Sequence, residues 1–354
     1  MSFNYKFPAV KGVQAGKDYY ISMVPLKLLS KLFPSDDEIV LPEYRAQRKI
    51  NETRIPEIRD YILFNKNNYV FSALSASIDG DFKFVSIGEN DIGILEIDMN
   101  AIFLINDGQH RKAAIEAALN EDKSLSNETI SIVFFKDDGL ARSQQMFTDL
   151  NKHAVKSSNS LSTLYDSRDE IAVATKEIID KINFFKKYTD KERDILGKNS
   201  SKLFTLNTIY KANQKILHSN DCTEEDKKFI LKFWSEVANN IVEWSEVDKK
   251  QLTKKDLREN YIITLSVTII ALGRLGRCFY DNRKLSIKKY LEGLKNIDWS
   301  RNSKNWINRI IRDNGKVVNS EEASMLACIR IKELLDLDLT SEEKQKEKQK
   351  KRMR

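Results

Sequence analysis

Cysteine is scarce in this sequence, and long apolar runs are missing. The three cysteines, Cys222, Cys278 and Cys328, are widely spaced and form no CxxC pair, which is typical of a reducing compartment and argues against a zinc site. The longest apolar stretch, from Ile262 to Leu272, is too short to cross a bilayer. The residues after Met1 show no signal-peptide pattern. The composition therefore predicts a cytoplasmic protein without a membrane partner.

Histidine is equally rare, and the familiar nucleotide and metal motifs are absent. The chain has three histidines, and it contains no GxxxxGK[ST] loop, no GxGxxG turn and no HExxH helix. These absences argue against P-loop nucleotide hydrolases, Rossmann dehydrogenases and zinc proteases. Asp79 and Asp81 form a DxD-like pair, but a hairpin turn explains them more simply. We therefore predict no metal site.

Proline and tryptophan divide the chain into two halves of different character. All five prolines lie between Pro8 and Pro56, and all four tryptophans lie between Trp234 and Trp306. At 354 residues, the chain is long enough for about two domains. We predict a first domain over residues 1–156, a second over 157–340 and a basic, flexible tail over 341–354. The tail carries seven basic and three acidic side chains, so it supplies +4 of the formal net charge of +7.

The apolar pattern changes near residue 157. Before it, β-branched and aromatic runs alternate with helical segments, which predicts an α/β domain. Its strands are expected at 17–24, 69–78, 82–85, 92–97, 102–105 and 129–135. After it, apolar residues recur at helical spacing and predict an all-α domain. Its helices are expected near 206–217, 224–244, 255–279, 284–295, 303–312 and 320–337.

One stretch, Ala101 to Leu119, organises the first domain. Its apolar run ends at Asn106-Asp107-Gly108, and the alanine-rich segment that follows predicts a helix beginning near Gln109. Gly108 allows the backbone to approach a ligand closely, and a helix N-terminus offers unpaired N–H groups with a partial positive charge. This arrangement suits a phosphate. An ordinary turn with a nearby salt bridge explains the same residues, and both interpretations stay open.

Three polar stretches in the first domain favour a shared ligand site. They are YRAQR at 44–48, NDGQHR at 106–111 and SQQMFTDLNKHA at 143–154. An enzyme would need a general base, a cation that stabilises charge and an amide that orients water or a metal. The candidate general base is Asp107 or His110. The candidate cation is Arg111 or Arg48, and the candidate amide is Asn151 or Gln145. In a purely structural interpretation, Asn151 ends a helix and Gln145 lies at the surface.

The DGQHR run also carries a resemblance. Asp107-Gly108-Gln109-His110-Arg111 matches the motif that names a group of bacterial proteins, and PEYRAQR…NETRIPEIRDYIL and QQMFTDLNKHA on either side look like the same group. Over most of its length the chain resembles the DndB family of DNA sulfur modification proteins, most strongly in its first half. The resemblance implies that it accompanies enzymes that replace a non-bridging phosphate oxygen of DNA with sulfur, without catalysing that transfer itself.

The resemblance further implies a fold and a set of site residues. The first domain would be a ParB/sulfiredoxin-like mixed sheet with helices, in which a Gly-x-x-Arg turn meets phosphate at a helix start. Related DGQHR proteins hydrolyse nucleoside triphosphates, so the candidate cofactor is a nucleoside triphosphate with Mg²⁺. Asp107, His110 and Arg111 would then be catalytic. The remaining cofactor-binding residues would be Gly108, Gln109, Arg45, Gln47, Arg48 and Asn151.

Three functions stay open. The resemblance favours a DNA-binding transcriptional regulator, a repressor, whose partner is the promoter DNA of the modification gene cluster. The alternative is a DGQHR-type nucleoside triphosphatase coupled to DNA nicking or to the sensing of modified DNA. The third is an interaction module that binds the other sulfur-modification proteins. A homodimer is compatible with each of them.

For DNA contact, the sequence offers one helix in the second domain. Thr205 can cap a helix that starts at Leu206. Polar side chains on and before this helix would face phosphates or bases, as in a helix-turn-helix. They are Lys202, Asn207, Lys211 and Lys215. An ordinary amphipathic helix explains the same pattern equally well.

Overall fold

Contacts within the chain divide it into two units, residues 1–155 and 156–354, which we call the N-terminal and the C-terminal unit. The structure is a computed structural model. It describes residues 4–34, 51–152, 157–197, 200–217, 219 and 221–352, and within these the side chains of 151, 152, 351 and 352 are not described.

The N-terminal unit is built on a mixed sheet, which has seven strands among the described residues. They are β1 (Asn4–Gln14), β2 (Lys17–Pro25), β3 (Leu74–Asp79), β4 (Phe82–Ser86), β5 (Ile92–Asp98), β6 (Ile102–Asp107) and β7 (Thr129–Lys136). Their order across the sheet is β4-β5-β1-β2-β7-β3-β6. The strands β3 and β7 pair in parallel, and the other neighbours are antiparallel. This places β6, the strand that leads into the DGQHR residues, at one edge of the sheet.

Helices cover both faces of this edge. The described α-helices of the unit are α1 (Leu29–Leu32), α2 (Ile55–Phe64), α3 (Gln109–Glu121) and α4 (Leu140–Lys152). Ile115 of α3 joins the core that contains Phe103 and Ile105 of β6. On α4, Met146 Sδ lies 3.1 Å from Nδ2 of Asn106. Because successive side chains of a strand point to opposite faces, α3 and α4 lie on opposite sides of β6.

The sequence does not predict β1, although this strand lies near the middle of the sheet. Pro8 and Gly12 interrupt its alternation of apolar and polar residues. In the structure, β1 pairs with β5 over Asn4–Val10 and with β2 over Ala9–Gln14. Pro8 therefore precedes the β2 ladder, where its missing N–H is tolerated, and its carbonyl accepts a 2.8 Å hydrogen bond from Ser22. The other predicted strands are confirmed, except that the one expected at 69–78 begins only at Leu74.

Helices make up most of the C-terminal unit. They are α5 (Asn159–Tyr165), α6 (Glu170–Lys181), α7 (Asn183–Tyr188), α8 (Leu206–Leu217), α9 (Glu224–Asn240), α10 (Val242–Asp248), α11 (Lys254–Asn260), α12 (Ser266–Asp281), α13 (Ile287–Leu291), α14 (Glu321–Leu334) and α15 (Ser341–Arg352). Two short strands, β8 (Thr189–Asp190) and β9 (Phe204–Thr205), pair in parallel. The predicted fold class, an α/β region followed by a helical region, is confirmed. Among the described helices, none combines the length and apolar character that a bilayer-spanning segment needs.

The helix α8 lies in the core of this unit. Its buried residues include Ile209, Ala212 and Ile216. It packs so closely against α12 that a Cβ on Gly273 would lie 2.4 Å from the Ala212 carbonyl oxygen. Asn213 is also buried, and its Oδ1 accepts a 2.7 Å hydrogen bond from the indole of Trp234. Close helix packing and a satisfied buried polar contact make α8 a structural centre of the unit.

Three predicted helices are interrupted in the structure. Residues 224–244 divide into α9 and α10, because Ile241 between them is extended, with φ −96° and ψ 107°. Residues 255–279 divide into α11 and α12, and between them the N–H of Ile262 bonds to the carbonyl of Trp299 at 2.9 Å. Residues 284–295 form the short α13 and a 3-10 turn. The periodicity of apolar residues continues across each break, so the sequence alone hides them.

The helix predicted over 303–312 is wrong. These residues form turns and isolated bridges, and Asn308 has a φ of 59°. Trp306 stacks on Trp299 with ring centroids 5.3 Å apart and planes within 5° of parallel. Arg309 turns into the interior, where it is 8% exposed. Tertiary contacts thus override a helical pattern that is only locally favourable.

The helix α15 forms where the sequence predicts a flexible tail. Two of its carboxylates, one turn apart, meet buried cations from elsewhere in the unit. Glu347 accepts hydrogen bonds of 2.8 and 2.6 Å from Arg309, and Glu343 accepts bonds of 2.9 and 2.8 Å from Lys332. Burial lowers the pKa of Lys332, but the hydrogen bonds to Glu343 together with the electrostatic effects of Glu343, Cys328 and Cys278 outweigh it, and the net pKa is raised. Ion pairs, rather than an apolar stripe, therefore hold this charged helix.

We expect Arg309→Met to lower the free energy of unfolding by about 3–5 kcal/mol, because it leaves Glu347 buried without its counter-ion. The double variant Arg309→Met/Glu347→Met should regain most of this loss. Lys295→Met is the control, because its pair with Glu292 is exposed and should contribute less than about 1 kcal/mol. Urea denaturation followed by tryptophan fluorescence, with hydrogen exchange of α15, measures the effect. Equal losses in Arg309→Met and in the control would contradict it.

Candidate functional site

The turn between β6 and α3 brings the DGQHR residues together at a helix start. Gly108 is the N-cap residue of α3, with φ 103° and ψ 17°, and it supplies no side-chain cap. Its carbonyl accepts the first intrahelical bond, from Lys112 at 2.9 Å. A Cβ on Gly108 would lie 2.3 Å from Cδ2 of Leu74. Two features thus favour glycine at this position: the left-handed backbone conformation and the close contact with β3.

Arg111 points back across this turn. Its Nη1 donates to the Ser72 carbonyl and hydroxyl, both at 2.6 Å, and to the Ala73 carbonyl at 2.9 Å. Its Nη2 donates to Asp107 Oδ2 at 2.6 Å, and the side chain is 17% exposed. Arg111 therefore fixes the segment that leads into β3 onto the start of α3, and Asp107 offsets its charge. A catalytic role for either residue stays a prediction.

His110 connects a second segment to the motif. Its Nε2 accepts a hydrogen bond from the backbone N–H of Asn51 at 3.0 Å, so the imidazole in this contact is neutral. Asn51 in turn accepts a 3.2 Å hydrogen bond from the N–H of Thr53. Gln109, half-buried, opens the helix beside it. Asn51, which contacts His110, thus lies only three positions after the YRAQR run in the sequence.

Several predicted site residues lie outside what the structure describes. They are Arg45, Gln47 and Arg48, and the side chain of Asn151. The backbone of Asn151 lies near the end of α4. On the same helix, Gln145 donates a 2.7 Å hydrogen bond to Asp149. The structure therefore unites Asp107, Gly108, Gln109, His110 and Arg111, and it does not test whether the other polar stretches join them.

Sequence reasoning missed a buried polar cluster beside the motif. Ser75, Ser77 and Asn106 are at most 8% exposed, and Nδ2 of Asn106 donates to Ser77 Oγ at 2.7 Å. Oδ1 of Asn106 and Oγ of Ser75 have no hydrogen-bond partner among the described residues. Ser75 pairs with Asp107 across the β3–β6 ladder. Buried polar atoms without partners are rare, and these two leave the strand end with hydrogen-bonding capacity for a water or a ligand. The alternation of Ser75 and Ser77 with apolar residues was the available signal.

No carboxylate, histidine or thiol cluster for a metal accompanies this turn. Within the described ranges, no group of three or more His, Cys, Asp or Glu side chains is placed to hold a metal ion. A magnesium ion at this site would therefore take most of its ligands from nucleotide phosphates and water, as Mg²⁺ commonly does.

The three thiols all lie in the C-terminal unit and are free. Burial raises the pKa of Cys222 to about 11 and that of Cys328 to about 12. It also raises the pKa of Cys278. Since the thiolate is the reactive form, the raised pKa makes each of these side chains less reactive at neutral pH than an exposed thiol.

The residues predicted to contact DNA are largely occupied within the C-terminal unit. The amine of Lys202 donates to the Lys187 carbonyl at 2.8 Å, and Lys215 pairs with Glu321 at 3.0 Å. Asn207 is half-buried, and Lys211 is exposed. Because α8 is enclosed by other helices, its packing argues against entry into a DNA groove. The DNA-contact role of these four residues stays a prediction.

Charge is distributed unequally between the two units. The N-terminal unit holds 18 Lys and Arg against 22 Asp and Glu, a formal charge of −4, whereas the C-terminal unit holds 41 against 30, which gives +11. A net charge of +7 for the whole chain conceals this division. An excess of this size gives the C-terminal unit a general electrostatic attraction for polyanions.

Comparison with known families decides the affiliation of the chain. A family model described as "DndB: DNA-sulfur modification-associated" matches residues 7–338. The chain belongs to the DndB family. The DndB match begins within β1 and ends after α14, so it includes both units and leaves α15 outside. No curated protein and no solved structure matches the chain, so the ParB/sulfiredoxin likeness of this DndB protein stays a prediction.

We expect Gly108→Ala to lower the free energy of unfolding by about 3 kcal/mol or more, because it adds a core clash to the strain of a positive φ. Gly139→Ala is the matched control in this DndB protein: Gly139 has a φ of +95°, and a Cβ there would meet nothing within 4 Å. The control should lose only the backbone strain, about 1 kcal/mol. Chemical denaturation of both variants measures the difference. Equal losses would show that contact with Leu74 is unimportant.

Proposed function

We propose that the protein is a DNA-binding transcriptional regulator, a repressor, of a bacterial DNA phosphorothioate modification gene cluster. Membership of the DndB family supplies the context of DNA sulfur modification. The observation that carries the proposal is the +11 charge of the C-terminal unit, from 41 basic and 30 acidic side chains. A cluster regulator needs no sulfur-transfer chemistry, and burial raises the pKa of all three thiols.

In this proposal the C-terminal unit supplies the affinity for DNA. Lysine and arginine side chains that neutralise phosphates release condensed counterions, which favours binding and makes it dependent on salt. The acidic N-terminal unit would not add to this attraction. A homodimer would suit a promoter with two related half-sites. The other sulfur-modification proteins are further candidate partners.

We expect the full-length protein to bind a fluorescein-labelled duplex from the region upstream of its own gene, with an affinity that falls steeply as salt rises. A scrambled duplex of equal length should bind at least about a hundredfold more weakly, since specific binding commonly exceeds non-specific binding by 10³ or more. Fluorescence anisotropy at several salt concentrations measures both. No binding to either duplex at about 0.15 M salt would favour an interaction module instead.

A second function, nucleoside triphosphate binding with Mg²⁺, is supported by the polar strand end next to α3. The buried Ser75 Oγ and Asn106 Oδ1 lack hydrogen-bond partners among the described residues. Asn106 lies in β6 and Ser75 pairs with Asp107, the last residue of β6 before the uncapped start of α3. In this proposal Gly108 and Gln109 would approach the phosphates. Asp107, His110 and Arg111 would be catalytic, and Arg45, Gln47, Arg48 and Asn151 would complete the site.

We expect Ser75→Ala to weaken binding of a fluorescent ATP analogue about tenfold or more while leaving stability unchanged or raised, since a hydroxyl that lacks a protein partner contributes little to folding. Ser143→Ala is the matched control, because Ser143 is buried nearby but its Oγ is bonded to Asp137 at 3.2 Å. Arg111→Ala is less informative, because it also releases the segment before β3. Absence of nucleotide binding by the unmodified protein would remove this second function.

A further inference from the structure

A basic surface runs along α9, the connection after α12 and α13. Six exposed cations define what we call the α9–α13 face: Lys228, Lys232, Arg283, Lys284, Lys288 and Lys289. The helices α9 and α13 pack against each other, and the guanidinium of Arg283 lies against Phe229 of α9, so the segments that carry the six side chains are neighbours in the C-terminal unit. None of them was singled out by sequence reasoning.

Few carboxylates neutralise the positive charge of this face. Its five lysines form no salt bridge with any described residue, and Arg283 lies 4.0 Å from Asp226. The neighbouring acids already have other partners. The pairs are Glu224 with Lys227 at 2.7 Å, Asp281 with Arg277 at 2.7 Å and Glu292 with Lys295 at 3.4 Å. Glu225 is the further exposed acid on α9. Glu224 also attracts Lys228 electrostatically, so the neighbouring acids offset part of the charge, and the face keeps an excess of positive charge.

Arg283 is held in place by two aromatic rings. Its guanidinium carbon lies 4.2 Å from the centroid of Phe229 and 4.3 Å from that of Tyr280. The hydroxyl of Tyr280 donates to Asp226 Oδ1 at 2.7 Å. Burial raises the pKa of Asp226, but hydrogen bonds from Thr223 and Tyr280 and the charge of Arg283 outweigh it and lower the net pKa, so this anchor stays ionised at neutral pH. A pre-positioned guanidinium binds phosphate with little loss of side-chain freedom.

The face also lacks the apolar surface of a protein interface. No large apolar side chain of α9, of residues 282–286 or of α13 is exposed. Protein–protein interfaces have apolar or aromatic residues at their centre and few lysines. Contacts to the DNA backbone come from lysine, arginine and polar groups instead. Charge and composition therefore both favour a polyphosphate over a protein partner.

We propose that the α9–α13 face binds the sugar-phosphate backbone of double-stranded DNA. The proposal rests on the DNA-binding function and assigns it to a surface other than α8. On this surface the lysines neutralise phosphates and Arg283 fixes the position of one of them. Such contacts carry little sequence information, so the face sets the affinity and the salt dependence of binding, while recognition of a promoter sequence needs other residues.

The test is a salt titration of DNA binding by the full-length protein and two triple variants. Lys228→Gln/Lys232→Gln/Lys288→Gln removes three charges from the face. Lys186→Gln/Lys255→Gln/Lys316→Gln removes three exposed, equally unpaired charges from other elements of the same unit. The probes are the labelled upstream duplex and its scrambled counterpart. All six positions are exposed, so circular dichroism spectra and melting temperatures should match those of the unmodified protein.

We expect the face variant to bind both duplexes at least about tenfold more weakly near 0.15 M salt, and the slope of log K against log salt to be shallower by about 2–3. The control variant should keep the slope of the unmodified protein. Arg283→Lys, which retains the charge but loses the ring contacts, should weaken binding less than Arg283→Gln.

The outcomes separate this surface from the function itself. If the unmodified protein binds and both triple variants keep its slope, the α9–α13 face is not the interface, and the regulator stands. If the face variant loses only the upstream duplex and keeps the scrambled one, the lysines read bases, which overturns backbone binding. If the unmodified protein binds neither duplex, both the DNA-binding function and the assignment of the α9–α13 face are wrong.

Discussion

The hydrogen bonds of Arg111 determine how the N-terminal unit presents its most distinctive residues. One guanidinium joins the Ser72 and Ala73 carbonyls to the carboxylate of Asp107, while His110 one residue earlier holds the backbone of Asn51. Three separate stretches of chain therefore converge on the first turn of α3. Because the arginine already has these partners, an anion arriving at this turn would not meet an open positive charge at Arg111. The DGQHR residues therefore stabilise the fold whether or not a ligand binds beside them.

The charge division between the units gives the chain two different surfaces. The net negative charge of the N-terminal unit opposes association with a polyanion, and the net positive charge of the C-terminal unit favours it. The separation allows the two units to take different partners without competing for the same polyanion. This division fits a regulator in which one unit supplies DNA affinity and the other carries a small-ligand or protein site.

Local sequence signals were enough where local physics decides the structure. The run from Ala101 to Leu119 was predicted as strand, turn and helix because an apolar run, a glycine and an alanine-rich segment follow one another directly. The helix at 206–217 was predicted with its observed limits. The strand β1 was missed because Pro8 and Gly12 disturb its alternation. Tertiary contacts, which no local pattern encodes, explain the false helix at 303–312.

Charge was harder to interpret, because a sequence counts ions without showing which are paired. Glu343 and Glu347 belong to the stretch predicted as a flexible tail, yet their partners, Lys332 and Arg309, lie 11 and 38 residues away. In the same way, Lys215 looked available for DNA but contacts Glu321, whereas the lysines of the α9–α13 face were overlooked although they form no salt bridge with described residues. A phosphate site needs cations that are not already paired with carboxylates. Only the folded chain shows which cations are paired.

The burial of Cys222 and Cys328 affects how these thiols would react with activated sulfur. With a pKa of about 11, Cys222 is a thiolate in only about one molecule in ten thousand at pH 7, and Cys328 is rarer still in that form. Persulfide carriers transfer sulfur to and from thiolates, so these side chains would rarely be in the form that accepts an activated sulfur atom. Burial would therefore slow the reaction of these two thiols with activated sulfur in a DNA sulfur modification context.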